Sequence, residues 1–477
     1  MESDILKKKN KWINRIIYIF FVIWGVFFIF TFFKKMPNGL SIEGKKRADT
    51  QLSLLYDITY QKNGKRETEQ QIFDRIFKII DESEKFIVLD MFLFNKDYDK
   101  NEEYPEITDK LVQKLIEKKQ NKRDMKIIFI TDEINGMYGA YETKEIKTLK
   151  ENGIEVVITD LNKLRDSNSL YSSFWNTFIK WMGVGENGKI VNPFSKEAER
   201  VTLRAYLKLM NFKANHRKVI ISEKEGVVSS ANPHNPSGYH SNIAFSLKGD
   251  ILKDILNGEK AVAEMSGYKK FQIDSNLIEV SKITDRTGVS IISEGKIGKN
   301  IVEMIKNTEK GDELFIGVFY LSDREVINEI KKAVQKGADV KIILDYNKDA
   351  FGREKNGIPN RVVAEEIYKY TRGQAKIYWY KSSGEQYHTK LLYLRKGDKV
   401  SITGGSANFT RRNLRDFNLE ENIKIETVKG EKIEREVMEY FERLLEPQYT
   451  TPYIYEKQGI IKHIIYRLQE WSGMSTF

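Results

Sequence analysis

Cysteine is absent from this chain, and histidine is scarce, with five residues among 477. The absence of cysteine excludes disulfide bonds, thiolate nucleophiles and cysteine-ligated zinc sites. The five histidines, which are too few and too scattered to predict a histidine-rich metal site, are His216, His234, His240, His388 and His463.

Positive charge and apolar residues are abundant. The formal net charge is +11, the sequence pI is about 9.1, and 40% of the residues are hydrophobic. A basic chain attracts polyanions, either nucleic acid or anionic lipid, and the charge alone does not choose between them. The length exceeds that of one typical domain and indicates two domains or a duplicated unit.

An uncharged run at residues 16–33 is close to the minimum length of a membrane-spanning helix. It lies between a basic tail (1–15) and a polar linker (34–50), and no small-residue cleavage site follows it. We expect an uncleaved, single-pass anchor in the cell membrane. The positive charges nearly balance across the span, but the densely basic tail favours a cytoplasmic N-terminus and an extracytoplasmic body.

The remaining chain shows the same order of apolar runs twice. Short apolar runs alternate with amphipathic segments, which is typical of α/β units with a mostly parallel or mixed sheet. We predict a first half at 51–270, with an insertion at 162–214, and a second half at 271–450, followed by an amphipathic tail at 451–477. The three matching pairs of runs are 86–94 with 314–321, 126–132 with 340–345, and 154–160 with 375–380.

Each half also contains a His-x-Lys motif on a predicted strand, followed by Ser-Ala-Asn. His216 and Lys218 form the first motif, and His388 and Lys390 form the second. Residues two apart on a strand point to the same face. One such motif is compatible with an ordinary strand, but two copies with the same continuation indicate a functional repeat.

This pattern resembles the phospholipase D superfamily, and the anchor makes the chain similar to its cardiolipin synthase-type members. The resemblance implies two halves related by a pseudo-twofold axis, with both histidines facing one phosphate. It also implies a phosphohistidine intermediate that requires no metal and no cofactor, for which we predict His216 as nucleophile and His388 as general acid. The remaining predicted catalytic residues are Lys218, Lys390, Asn232 and Asn408, and the supporting residues are Ser230, Ser406, Glu223 and Glu420.

The sequence departs from the family pattern at several positions. The acidic residue expected five positions after the motif lysine is Glu223 in the first copy, but Arg395 in the second. Ser229 stands where the second copy has Gly405, and counting from the motif asparagines sets Ala244 opposite Glu420. Glu420 either orients an imidazole or forms a structural salt bridge.

Three further segments leave alternatives open. His234 and His240 lie in a turn-rich loop, at the substrate mouth or simply on a polar surface. Residues 170–182 predict an aromatic helix that is buried against the body or dips into the membrane interface. The apolar side of the tail, residues 460–468, packs on the surface or contacts the membrane.

We expect an enzyme that acts on phospholipids, as a phosphatidyltransferase or a phosphodiesterase. The expected partners are an anionic phospholipid and the bilayer rather than nucleic acid. The alternatives are a nuclease with the same chemistry and a catalytically inactive lipid-binding protein. The acceptor, the lipid headgroup and the oligomeric state stay open.

Overall fold

The structure, a computed structural model, describes residues 2–97, 103–280, 286–347, 349–350, 353–354, 356–475 and 477. Its first half contains β1 (Gln51–Lys62), β2 (Lys65–Glu69), β3 (Phe86–Met91), β4 (Lys126–Thr131), β5 (Glu155–Ile158), β6 (Lys218–Ser222), β7 (Gly226–Ser229) and β8 (Asn242–Lys248). The helices up to the end of this half are α1 (Glu2–Phe33), α2 (Ile72–Glu82), α3 (Ile107–Asn121), α4 (Lys144–Glu151), α5 (Ser169–Phe178), α6 (Leu203–Leu209) and α7 (Ile251–Met265).

The second half has the same kind of composition. Its strands are β9 (Gly288–Ser293), β10 (Glu313–Val318), β11 (Asp339–Leu344), β12 (Asp349–Ala350), β13 (Arg353–Glu354), β14 (Lys376–Tyr380), β15 (Lys390–Lys396), β16 (Lys399–Gly405), β17 (Glu421–Val428) and β18 (Thr450–Pro452). Its helices are α8 (Gly295–Lys306), α9 (Arg324–Lys336), α10 (Asn360–Thr371), α11 (Arg411–Leu414), α12 (Lys432–Leu444) and α13 (Ile460–Ser472).

Each half forms an eight-stranded mixed sheet. The strand orders are β2-β1-β8-β7-β6-β3-β4-β5 and β18-β14-β11-β10-β15-β16-β17-β9. In each sheet, three consecutive strands are parallel, namely β3-β4-β5 and β10-β11-β14. The remaining pairs within these two sheets are antiparallel, so the sheets are mixed rather than mostly parallel.

Seven strands of each sheet occur in the same order once the two orders are read in opposite directions, and β2 and β18 are the additional edge strands. The corresponding pairs are β1 with β9, β8 with β17, β7 with β16, β6 with β15, β3 with β10, β4 with β11 and β5 with β14. The predicted α/β class with two related halves is therefore confirmed.

Buried apolar residues explain this arrangement. Every residue of β3 is buried, as expected for a strand in a parallel ladder that is covered on both faces. The largest apolar cluster includes Phe245 and Leu391, and thus joins the two sheets. The outer faces of the sheets pack against amphipathic helices, such as α2 with Ile72, Ile76 and Ile80 buried one turn apart. The helices α7 and α12 belong to the same central cluster and contact strands of both sheets, so the body is layered helix, sheet, helix, sheet, helix.

The helix α1 is long and apolar enough over Lys9–Phe33 to cross a membrane. Only 6% of its most apolar window is buried, so α1 is not a core helix of the body. The insertion helix α5 packs against it: Phe178 stacks on Phe20 with ring centroids 4.2 Å apart, and Trp24 Nε1 donates to Ser173 Oγ at 2.9 Å. Trp181 beyond α5 is 70% exposed.

Candidate active site

The two motif histidines lie at the seam between the halves. The backbone N–H of His216 donates to Leu419 O at 2.9 Å, and that of His388 donates to Ser241 O at 2.8 Å. Each histidine is therefore bound through its main chain to the opposite half. The motif histidines were predicted to lie on strands, but β6 and β15 begin at the motif lysines, so each histidine precedes its strand by two residues.

A cavity of about 150 Å³ opens at this seam. Of the predicted site residues, those that line it are His216, His388, Asn232, Asn408, His234 and His240. The fold thus brings both motif histidines and both motif asparagines to one cavity, although they come from segments far apart in the chain.

Each imidazole is oriented by a side chain of the opposite half. Nδ1 of His216 lies 2.9 and 3.1 Å from the two carboxylate oxygens of Glu420. Nδ1 of His388 lies 3.0 Å from the amide oxygen of Asn242. Both partners are acceptors, so Nδ1 carries the proton in both rings. His216 has a carboxylate partner and His388 a neutral one, so the pseudo-symmetric site is chemically asymmetric.

The motif lysines lie just beneath the histidines. Lys218 Nζ donates to His216 O, and Lys390 Nζ to His388 O, both at 2.6 Å. The side chains of both lysines are almost fully buried. Two aromatic rings complete this arrangement, because Phe92 and Phe319 lie beside the His216 and His388 rings, with centroids 4.7 and 5.2 Å apart respectively.

Burial dominates the electrostatics of these groups. It lowers the pKa of His216 to about 4 and that of Lys218 to about 7, against the attraction of Glu420. Burial also lowers the pKa of His388 and of Lys390, and repulsion by other basic groups of the site lowers both pKa values further. Burial by itself would raise the pKa of Glu420, but His216 and Lys218 hold it below its usual value. The site is thus a buried group of bases around one carboxylate, suited to an anion.

The supporting serines hold the two acceptors. Ser230 Oγ donates to Asn242 Oδ1 at 3.1 Å, and Ser406 Oγ donates to Glu420 Oε2. These matching bonds show that Asn242 is the structural counterpart of Glu420. The expectation that Ala244 stands opposite Glu420 is wrong, because Glu420 lies 12 residues after its motif asparagine whereas its counterpart Asn242 lies 10 residues after the first one, so the count slips by two.

The true counterpart of Ala244 is Asn422, since Ser229 pairs with Ala244 and Gly405 with Asn422. A Cβ on Gly405 would lie 2.8 Å from the Asn422 side chain, and its φ of 156° also favours glycine. In the first half, Ser229 Oγ accepts from Ala231 N–H, as Asn422 Oδ1 does from Ala407 N–H. The serine therefore replaces the function of an asparagine that the first half lacks.

Glu223 and Arg395 lie at the far ends of their strands, away from the cavity. The Glu223 carboxylate accepts the backbone N–H groups of residues 84, 85 and 86. The equivalent Arg395 forms an ion pair with Glu313, its cross-strand neighbour. Both contacts tie a strand end to the sheet, so the missing acidic residue in the second half leaves the cavity unchanged.

The two loop histidines also border the cavity. His234 Nδ1 lies 2.9 Å from Ser237 Oγ, and His240 Nδ1 accepts from Gln386 N–H at 3.3 Å. The His240 ring lies 5.9 Å from the His388 ring. Burial lowers the pKa of His234 to about 4 and that of His240 to about 3, so both rings are neutral at physiological pH.

Sequence reasoning missed Asn242, Phe92 and Phe319, and also Asn413, whose amide donates to Glu420. The two phenylalanines directly follow matching strands, so alignment of the two halves contained the signal for them. Within the described ranges, no group of three or more His, Asp or Glu residues is arranged to hold a metal ion.

The chain is similar to one described protein family and to several solved structures. Residues 301–445 match the family described as cardiolipin synthase, PLD-like domain. The phosphatidylserine synthase of Haemophilus influenzae aligns over 92% of this chain and 96% of its own, at 10% identity and a TM-score of 0.54. Nuc, a phospholipase D family member from Salmonella typhimurium, aligns over 35% of this chain and 98% of its own, at 14% identity and a TM-score of 0.26. No curated protein matched the sequence.

Proposed function

We propose, from the premise that this chain is a phospholipase D superfamily protein with a cardiolipin synthase-type domain, that it transfers phosphatidyl groups between alcohols at a membrane. The observation that carries the proposal is the crossed pairing of two imidazoles with Glu420 and Asn242 above two buried lysines. Phosphodiesters are anionic and resist attack, so they need charge neutralisation, a nucleophile and an acid in one place.

The asymmetry of the two imidazoles supports His216 as the nucleophile. Its Nδ1–H is held by Glu420, which leaves Nε2 with a lone pair and stabilises the positive charge that develops on the ring during attack on phosphorus. The bond between Nε2 and phosphorus forms as the bond to the leaving oxygen breaks. Asn242 offers no such charge compensation to His388, so His388 suits the second role.

His388 acts as general acid and then as general base. An anionic phosphodiester raises the imidazole pKa that burial and Lys390 depress, so the substrate itself promotes protonation of the ring. The protonated ring gives its proton to the leaving alkoxide. It then takes a proton from the incoming alcohol or water, which attacks phosphorus and releases His216.

The insertion supports a lipid substrate. It contacts the anchor through α5, and it contributes Phe194, Leu209 and Phe212 to the cavity wall. One segment therefore connects the transmembrane helix α1 with the apolar side of the cavity. We infer that α1 anchors the body in the cell membrane with the cavity close to the bilayer, and an extracytoplasmic body remains our proposal.

Lipid turnover tests the function directly. Full-length protein would be reconstituted in phosphatidylglycerol vesicles with and without a labelled alcohol, and the lipid products would be measured by mass spectrometry. We expect the alcohol in a new phospholipid, and no product from His216→Ala. Cleavage of single- or double-stranded DNA without lipid turnover would favour the nuclease alternative, and absence of both would favour the inactive alternative.

A further inference from the structure

Arg412 is a buried cation in the wall of the candidate active site. It lies on α11, four residues after the second motif asparagine, and its side chain is part of the cavity lining. Only 6% of the residue is exposed. Arginine is rarely buried to this degree unless it is paired with an anion.

The contacts of Arg412 do not neutralise its charge. Nη2 donates to Gly473 O at 2.8 Å, and the guanidinium lies 5.1 Å from the ring centre of Phe212. Nε makes no hydrogen bond to any described residue, and no carboxylate within the described chain forms an ion pair with Arg412. Burial lowers its pKa to about 9, which reflects this lack of compensation.

A second basic residue of the same cavity wall shows the contrast. Lys213 is also buried, but its Nζ lies 2.6 Å from Asp166 Oδ1 and donates to Leu164 O at 2.9 Å. Lys213 therefore has its counterion within the protein. Arg412 lines the same cavity without one, so an anion that enters the cavity would supply the missing partner.

In the proposed mechanism, the motif lysines and asparagines bind the reacting phosphate. Arg412 lies beside Phe212, on the apolar wall that the insertion contributes. A guanidinium presents a planar fork of donors that matches the oxygens of a phosphate. Its position thus suits a second anionic group rather than the one that reacts.

We propose that Arg412 binds a phosphate-type anion carried by the acceptor alcohol, and so selects acceptors that bear one. This inference rests on the proposed transfer of phosphatidyl groups. The anion has two possible sources with the same chemistry, namely the headgroup phosphate of a second anionic phospholipid and the phosphate of a soluble phosphorylated alcohol.

The test compares acceptors in the same phosphatidylglycerol vesicles. Full-length protein receives labelled glycerol, labelled glycerol 3-phosphate, or no soluble acceptor, in which case phosphatidylglycerol itself accepts and gives a dimeric phospholipid. We expect Arg412→Gln to lower the ratio of kcat/KM for a phosphate-bearing acceptor to that for glycerol by about tenfold or more, the effect of losing a charge-assisted hydrogen bond. A loss of kcat/KM confined to the lipid acceptor identifies the headgroup phosphate of a second phospholipid as the anion. A loss confined to glycerol 3-phosphate identifies the phosphate of a soluble alcohol.

Arg411→Gln is the matched control. Arg411 is exposed, lies on the same short helix and donates to a neighbouring carbonyl of the tail, Trp471 O, but it does not line the cavity. We expect this variant to keep the acceptor ratio of the unmodified protein. Arg412→Lys, which keeps the charge but loses the fork, should fall between the two.

Two measurements guard against misfolding and against failure of the proposed function. In the unmodified protein, inorganic phosphate should raise the KM for glycerol 3-phosphate more than the KM for glycerol. Glycerol 3-phosphate should also raise the melting temperature of the unmodified protein and of Arg411→Gln, but not of Arg412→Gln, whether or not lipid is turned over. An equal loss for all acceptors, equal inhibition by phosphate, or equal thermal stabilisation of both variants would overturn the subsite.

Discussion

Replacing Glu420 with glutamine should slow formation of the phosphoenzyme. Three donors converge on the carboxylate, from His216, Ser406 and Asn413. Glutamine keeps the shape but offers one acceptor oxygen and one NH₂ group, so at least one donor would face another donor. Loss of a hydrogen bond to a charged partner costs about 1.5–3 kcal/mol, which corresponds to a rate loss of about 10- to 150-fold.

Rapid quenching of full-length protein with a labelled phospholipid would measure this step, with acid-labile phosphate on His216 as the signal. Glu426→Gln is the control, because Glu426 lies on β17, the strand that directly follows Glu420, but pairs on the surface with Lys46 at 2.8 Å. We expect the control to react at the rate of the unmodified protein. A phosphoenzyme that forms equally fast in Glu420→Gln would refute the assigned role of the carboxylate.

Three other predictions follow from the site and its supports. His388→Ala should lower turnover of phospholipids by about 10²–10⁴-fold but spare turnover of a nitrophenyl phosphodiester, whose leaving group needs no proton. His216→Ala should abolish turnover of both substrates. Equal losses for the two substrates in His388→Ala would contradict the division of roles. Glu223→Ala should lower the free energy of unfolding by about 1–3 kcal/mol, because it removes a buried carboxylate that accepts three backbone N–H groups. Arg395→Ala should cost under about 1 kcal/mol, and chemical denaturation would measure both. Burial raises the pKa of Asp57 to about 7, so its contribution to stability is full below about pH 4 and is lost as the pH rises through 7. Asp57→Asn should therefore make the melting temperature depend less on pH between pH 5 and 8. An unchanged pH dependence would contradict this.

The duplicated architecture was predictable because two periodic signals agreed. Matching apolar runs gave the parallel strands β3-β4-β5 and β10-β11-β14, and the repeated motifs marked the beginning of β6 and β15. The family resemblance, which the match of residues 301–445 supports, then supplied the expectation that both histidines face one site. The structure brings both to one cavity.

The partners of the imidazoles could not be predicted in the same way. Asn242 and Glu420 differ in chemistry, and a two-residue difference in loop length hides their equivalence from any count along the chain. The hydrogen bonds from Ser230 and Ser406 and the pairing of the neighbouring strands reveal the register. Each imidazole binds a side chain of the opposite half because of tertiary packing, and the local sequence contains no signal for that packing.

The insertion helix illustrates another limit of periodicity. Its apolar spacing predicted one continuous apolar face, but in the structure one part of that face is covered and another part is exposed. Phe178 stacks on Phe20 of α1, whereas Trp181 is exposed. Helical spacing shows that a face is apolar, and it does not show which neighbour covers it.

The crossed pairing of each imidazole with the opposite half makes catalysis a property of the joined molecule. A fragment that contains one half keeps its histidine and lysine but loses the acceptor that orients the ring. Substitutions at the seam that leave both halves folded should therefore abolish activity when they merely let the halves separate. Because of the same dependence, a change in one half alters the chemistry of the other half's histidine.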